Sequence, residues 1–148
     1  VENVLEVAKY LISKFPPAQI TSLKLQKLLY YSQAWNLAIQ GKPLFDEPIE
    51  AWVHGPVVRR VFNEYKEYRW RPLPYPETLP KLSGVSQRHL DEIVRLYGQY
   101  SAVQLEHLTH ADKPWLDARK GLRPDQSSSS EISCDGMLKF YRAQLNGA

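Results

Sequence analysis

Cysteine is almost absent: Cys134 is the one example in 148 residues. No internal disulfide can form, which fits a reducing cytoplasm and leaves stability to the hydrophobic core. Long apolar runs are missing too. Lys, Gln, Asn or Ser interrupts the apolar stretches, and none approaches the roughly 20 residues of a membrane helix, so no membrane contact is expected. The opening VENVLEVAKYLISKF carries two Glu and two Lys across helical spacing, which no signal peptide does. The seven glycines are scattered and form neither G-x-G-x-x-G nor G-K-[ST], so no phosphate-binding loop is present.

Catalytic constellations are equally scarce. Neither C-x-x-C nor H-E-x-x-H occurs. His107 and His110 stand three apart, on one face of a predicted helix, but a zinc site would have to recruit Cys134 or Asp112 as well. Cys134 beside a histidine is the one nucleophile–base pair on offer, and its flanks match no thiol-enzyme pattern. Asp46, Glu47, Glu50 and Asp91 read as solvated or capping residues. No enzyme, no metal and no cofactor are expected. Positive charge is in slight excess, at +3, whereas nucleic-acid binders concentrate far more on one face.

What is present is helical periodicity. A chain of this length buries roughly 70% of its unfolded surface, enough for one domain over residues 1–148. Val4, Leu5, Ala8, Leu11, Ile12 and Phe15 recur at steps of three and four, and Pro16–Pro17 ends that helix. Thr21 or Ser22 caps a second helix with Leu25, Leu28, Leu29, Ser32, Trp35 and Ile39 inward and Gly41 as its stop. A third is expected from Val57 to Tyr68, with Val58, Val61, Phe62 and Tyr65 inward. Pro72, Pro74, Pro76 and Pro80 then make a stiff connector. Beyond it, Ser86 is expected to cap a helix burying Leu90, Ile93, Val94 and Tyr97. Ser101 and Gln104 form a capping box, Asp112 caps a short helix with Pro114 in its first turn, and Ser133 opens the last helix. The only strand candidates, PIEAWV and SSSEIS, are expected to pair as a two-stranded ribbon. The predicted fold is mainly α, six to seven helices with a small two-stranded β element.

EAWVHGPVV (Glu50–Val58) reads as a shaped corner between strand and helix. Gly55 supplies a turn closed to other residues, Pro56 suits the first turn of the following helix, Trp52 plugs the core and His54 is the exposed tip. Two polar rows stand out. Lys24, Lys27 and Tyr31 fall opposite the leucine stripe of the second helix, and Arg59, Asn63, Lys66 and Trp70 line the third. Such rows are ordinarily the wet face of a helix, but Tyr, Trp and Arg are also the residues that carry binding energy.

Three blocks together resemble the Panacea domain of SocA-like, phage-associated antitoxins: LKLQKLLYYSQAWNLAIQGKPLFDEPIEAWVHGPVV (23–58), YGQYSAVQLEHLTHADKPWLDAR (97–119) and ISCDGMLKFYR near the end. The resemblance implies a mostly α-helical, non-enzymatic domain that neutralises a cognate toxin in the cytoplasm by direct binding, with hand-over to an ATP-dependent protease in some members. The motif positions carried over are Lys24, Leu25, Gln26, Lys27, Leu28 and Tyr30, then Trp52, Gly55, Pro56 and Val57, then Ser101, Leu105, Thr109, His110, Pro114 and Trp115. Leu25, Leu28, Trp52 and Trp115 are expected in the core. Lys24, Lys27, Tyr31, Arg59 and His110 are expected as exposed partner contacts. The chain opens directly in this domain, which puts self-repression of an operon through a separate DNA-binding segment in doubt. The alternative reading is a nucleic-acid-binding transcriptional regulator, whose first two helices resemble a helix-turn-helix and offer Lys24, Lys27, Arg59 and Arg60 to phosphates.

Overall fold

Asn3 starts the first element: its side chain accepts the Leu5 amide at 2.8 Å and opens helix α1 (Val4–Ser13). In this computed structural model, which describes residues 1–147, α1 buries Val4, Val7, Ala8, Leu11 and Ile12. Helix α2 (Ser22–Gln40) begins where Thr21 Oγ1 accepts the Lys24 amide at 3.3 Å. It stops at Gly41, whose φ of 74° is a left-handed conformation that disfavours a side chain.

Helix α2 is the axis of the molecule. It packs against α1, the hairpin and every other helix of substance, most extensively the last one. The expected stripe holds at Leu25, Leu28, Leu29 and Ser32, but Trp35 is half-buried and Ile39 is turned to water. Burial also reaches round the other side, where Gln26, Lys27, Tyr31, Gln33 and Asn36 lie inside. Each aliphatic side chain in this shell contributes about 2 kcal/mol by leaving water. The polar ones are held by backbone partners. Gln33, for example, gives its amide to the Phe45 carbonyl at 2.8 Å and accepts the Leu44 N–H at 2.8 Å.

Strands β1 (Ile49–Trp52) and β2 (Gly55–Val58) form an antiparallel hairpin in the register Ile49–Val58 to Trp52–Gly55, with Val53 and His54 as its two-residue turn. This corrects the expected ribbon: IEAW pairs with GPVV. SSSEIS adds only one bridge on the outer edge of β1, from Glu50 to Glu131, with the Ala51 N–H donating to the Ser130 carbonyl at 2.8 Å. Pro56 and Val57 therefore belong to a strand, not to a helix start. Pro56 is tolerated there because it occupies a position whose backbone groups point away from β1.

Helix α3 (Arg59–Tyr65) begins two residues later than expected and tightens into a 3-10 turn over Lys66–Tyr68. The proline-rich connector is pinned by Leu73, which is buried and gives its N–H to the Ile20 carbonyl at 2.8 Å. Helix α4 (Gly84–Tyr97) is capped by Ser83, one turn before the expected Ser86, which is instead buried inside the helix. Helix α5 (Ala102–His110) has the expected capping box: the Gln104 N–H donates to Ser101 Oγ at 3.1 Å and the Ser101 N–H to Gln104 Oε1 at 2.8 Å. Helix α6 (Lys113–Ala118) carries Pro114 in its first turn. Helix α7 (Cys134–Gly147) opens with the Gly136 N–H on Ser133 Oγ and buries Met137 and Tyr141. No described helix is long and apolar enough to cross a membrane.

Asp112 does not cap α6. Its carboxylate turns inward, where it accepts the hydroxyls of Tyr30 (3.1 Å) and Tyr141. Burial raises its pKa above the ordinary aspartate value, against the lowering effect of the two hydroxyls. The one carboxylate thus joins α2, α6 and α7.

Candidate functional site

The hairpin leaves the outer edge of β2 without a partner strand, and α2 fills the vacancy with side chains. Gln26 accepts the Val58 N–H at 2.8 Å and donates to the Val58 carbonyl at 3.3 Å. One residue on, Lys27 Nζ donates to the Pro56 carbonyl at 3.3 Å. Two side chains of a helix so replace a ladder of backbone groups. Lys27 is wholly buried, and burial lowers its pKa to about 7, only partly offset by the carboxylate of Glu106 on α5.

Gly55 is the reason this ammonium fits. A Cβ at Gly55 would stand 2.7 Å from Lys27 Cε and 2.9 Å from Thr109 Oγ1, and the glycine's φ of 110° is closed to other residues as well. Thr109, buried on α5, turns its hydroxyl to the Glu106 carbonyl at 2.9 Å. Lys27, Gly55 and Thr109 form one contact.

Above them lies a cleft of about 450 Å³ between the start of α2, the hairpin, α3 and the loop at Ser127 and Ser128. Its apolar walls are Leu23, Trp52, Val53, Val57 and Phe62, and its basic groups are Lys27, His54 and Arg69. Trp52, expected in the core, is only half-buried: its ring packs edge-on against Phe62 (4.9 Å) and forms one wall. The Trp52 indole donates to Glu50, which also accepts both Nε and Nη2 of Arg59 at 3.1 and 2.7 Å. The Arg59 hydrogen bonds hold the Glu50 carboxyl below its ordinary pKa.

Of the five residues expected as exposed contacts, Arg59 alone lies fully on the surface. Lys27 and Tyr31 are buried, Tyr31 stacking on Tyr97 with ring centroids 3.9 Å apart. Lys24 is half-buried, giving Nζ to the Gly98 carbonyl at 2.6 Å and lying over the Phe15 ring. His110 is half-buried and stacked on Trp115, with its Nε2 enclosed and unpartnered, and burial lowers its pKa. For the three on α2 the physical reason is shared: the face opposite the leucines is covered by the hairpin, α4, α5 and α7, so it is not a wet face, while His110 on α5 is covered by Trp115. Of the four cations offered to phosphates, Lys27 is buried and Lys24 half-buried, while Arg59 and Arg60 are exposed in ion pairs with Glu50 and Glu47.

Trp115 is in the core as expected, with its indole on the Trp52 carbonyl at 3.0 Å. Leu25, Leu28, Tyr30, Leu105 and Pro114 are buried as well. Sequence reasoning missed Arg119, which is buried beside Trp115 and donates to the carbonyls of Ala51, Arg123 and Gln126. It also missed Leu23 and Arg69 in the cleft. Nothing local marks them, since each gains its role from a segment distant in sequence. Cys134 stands exposed at the start of α7, its thiol pKa raised by partial burial of the sulfur and by Glu131. That is the reverse of an activated thiolate. Among the described residues, no group of three or more His, Cys, Asp or Glu side chains gathers in a way that would hold a metal ion.

Residues 25–116, more than half of the chain, match the family model described as the antitoxin SocA-like, Panacea domain. No curated protein and no solved structure gives a match. The matched segment runs from α2 to α6 and contains the hairpin, the buried Lys27 and most of the cleft.

Proposed function

Because the chain belongs to the SocA-like Panacea antitoxin family, we propose that it is the antitoxin of a bacterial or prophage toxin–antitoxin pair, acting in the cytoplasm by direct binding of its cognate toxin. The observation that carries this reading is the family match itself, which spans most of the residues that build the cleft. The surface beside the cleft supports it. Arg59, Asn63, Lys66 and Trp70 are all exposed along α3 and its continuation, and Trp70 is 77% exposed. Large aromatic and arginine side chains left in water are the usual anchors of a protein–protein interface. An interface of about 1,600 Å² centred here would cover the cleft and this row together.

The protein acts in this reading as a binder rather than an enzyme. Its best-formed cleft has apolar walls and basic groups but no carboxylate to complete an acid/base couple. Toxin seated on it is blocked, and a complex of this kind is also what an ATP-dependent protease would receive if the chain serves as an adaptor. The test is growth. The open reading frame beside this gene is induced tightly, with and without this chain from a second plasmid. Rescue of growth supports the reading, and toxin levels after rescue separate blocking from degradation. No arrest from the neighbour, or arrest that this chain does not relieve, counts against it. A Cys134→Ser variant should rescue as well as the parent, and its failure would reopen thiol chemistry.

A further inference from the structure

Lys27 carries three N–H donors when protonated and has one partner, the Pro56 carbonyl at 3.3 Å. Full burial of an ammonium with one donor of three partnered is costly, and nothing in the hairpin needs a lysine there: Gln26 already secures the β2 edge at Val58. Arg69 poses a second question. It is not glycine, yet it holds φ 55° and ψ −116°, a sparsely populated backbone conformation. Its side chain lines the same cleft and makes no ion pair among the described residues. No Asp or Glu lines that cleft. Two cations, one buried and one on a strained backbone, flank a pocket whose apolar walls carry no acidic side chain, the nearest being Glu106 behind Lys27.

We propose that this cleft receives one anchor of the cognate toxin, a large apolar side chain with a carboxylate next to it. The apolar part sits between Leu23, Val57 and Phe62, and the carboxylate is drawn to Lys27 and Arg69. This rests on the antitoxin reading for the identity of the occupant. Charge complementarity argues the chemistry: a carboxylate in the cleft pairs with the open Arg69 and lies over the buried Lys27 charge, whereas a cationic or wholly apolar anchor does neither. The volume of about 450 Å³ admits an aromatic side chain with an adjacent acidic one. Glu106 and His110 on α5 and the Thr109 hydroxyl are the other groups around Lys27. Only Glu106 is acidic, and it already meets His54 Nδ1 at 3.2 Å.

The test reads the cleft without any toxin. Full-length protein is titrated at slightly acid pH with 3-phenylpropionate and, separately, with its neutral amide, following the indole N–H resonance of Trp52. The carboxylate is expected to move that resonance and to bind about tenfold more tightly than the amide. Lys27→Met and Arg69→Ala should each erode the preference, and a melting curve on each variant separates lost binding from lost fold. Equal binding of acid and amide, or no shift at Trp52 with either, overturns the inference even if growth rescue succeeds. With toxin in hand, the same two variants should weaken the complex about thirtyfold. Full affinity in either overturns the inference. A failed rescue beside a carboxylate-selective cleft removes the toxin as occupant, and the antitoxin reading with it.

Discussion

Gly55 and Lys27 share a single volume: the hydrogen that glycine carries in place of a side chain leaves just enough room for the lysine's last methylene, 2.7 Å from where a Cβ would stand. The Gly55→Ala variant therefore meets two obstacles at once, a crowded neighbour and a positive φ. We expect it to lose about 3 kcal/mol of unfolding free energy in urea. In a Gly55→Ala, Lys27→Ala double variant the crowding against Lys27 disappears, while the contact with Thr109 and the backbone strain stay. The two losses should then be markedly less than additive, and simple additivity would dismiss the contact.

Lys27 should make stability depend on pH in an unusual direction. Its folded pKa is about 7, against about 10.4 unfolded, so between those values the unfolded chain binds more protons. Unfolding free energy must then rise with pH from about 7 upward, with a slope approaching 1.4 kcal/mol per unit, and its penalty is fully present below 7. The buried tyrosines Tyr30, Tyr31 and Tyr141, whose pKa values burial raises, act oppositely once the unfolded chain ionises near 10. The window to read is about pH 7 to 8, below the range where the unfolded Cys134 thiol, whose folded pKa is raised, begins to ionise. Lys27→Met should be more stable than the parent at neutral pH and flat across that window. A parallel rise in both proteins would reject the assignment.

Asp112 gives a third prediction. Removing its carboxylate leaves the hydroxyls of Tyr30 and Tyr141 without their acceptor in the contact between α2 and α7. Asp112→Ala should cost about 2–4 kcal/mol, whereas Asp112→Asn, which keeps an acceptor oxygen, should cost about 1. Thermal unfolding of the two variants side by side decides it. Equal losses would mean that the charge, not the acceptor, matters.

Charge reversal distinguishes surface from interior. Lys27→Glu places a carboxylate where an ammonium has one carbonyl partner, and the variant is expected to unfold or to expand, visible as lost near-ultraviolet dichroism. Arg59→Glu changes an exposed residue and gives up its surface ion pair with Glu50, so it should lower the melting midpoint only slightly while reducing affinity for the toxin. Unchanged affinity in Arg59→Glu would move the partner surface off α3.

Much of the helical scaffold was legible because helix ends are written locally. Thr21, Gly41 and the Ser101–Gln104 pair each fix a boundary within four residues of sequence, and each stands where the periodicity places it. The capping serine of α4 was misplaced by one turn because Ser83 and Ser86 offer the same chemistry three residues apart. The candidate site was harder to read. Periodicity assumes that a helix has one dry side, and α2 has none facing water for most of its length. Lys27 and Gln26 look like solvent residues until β2, thirty positions on, brings the carbonyls and amide that hold them. Gly55–Pro56 favoured a helix start for the same local reason, and only the pairing with IEAW reveals a strand.

The packing of α7 against α2 sets an order of events during synthesis. Helix α2 is synthesised well before α7, its most extensively packed partner among the described residues, so Tyr30 and Tyr31 go without Tyr141 until that helix follows. A chain released before residue 134 keeps that axis open and has no partner for Tyr30 and Asp112 but each other. Such a chain is expected to be cut by an added protease faster than one that carries α7, because the face of α2 that α7 covers is left in water.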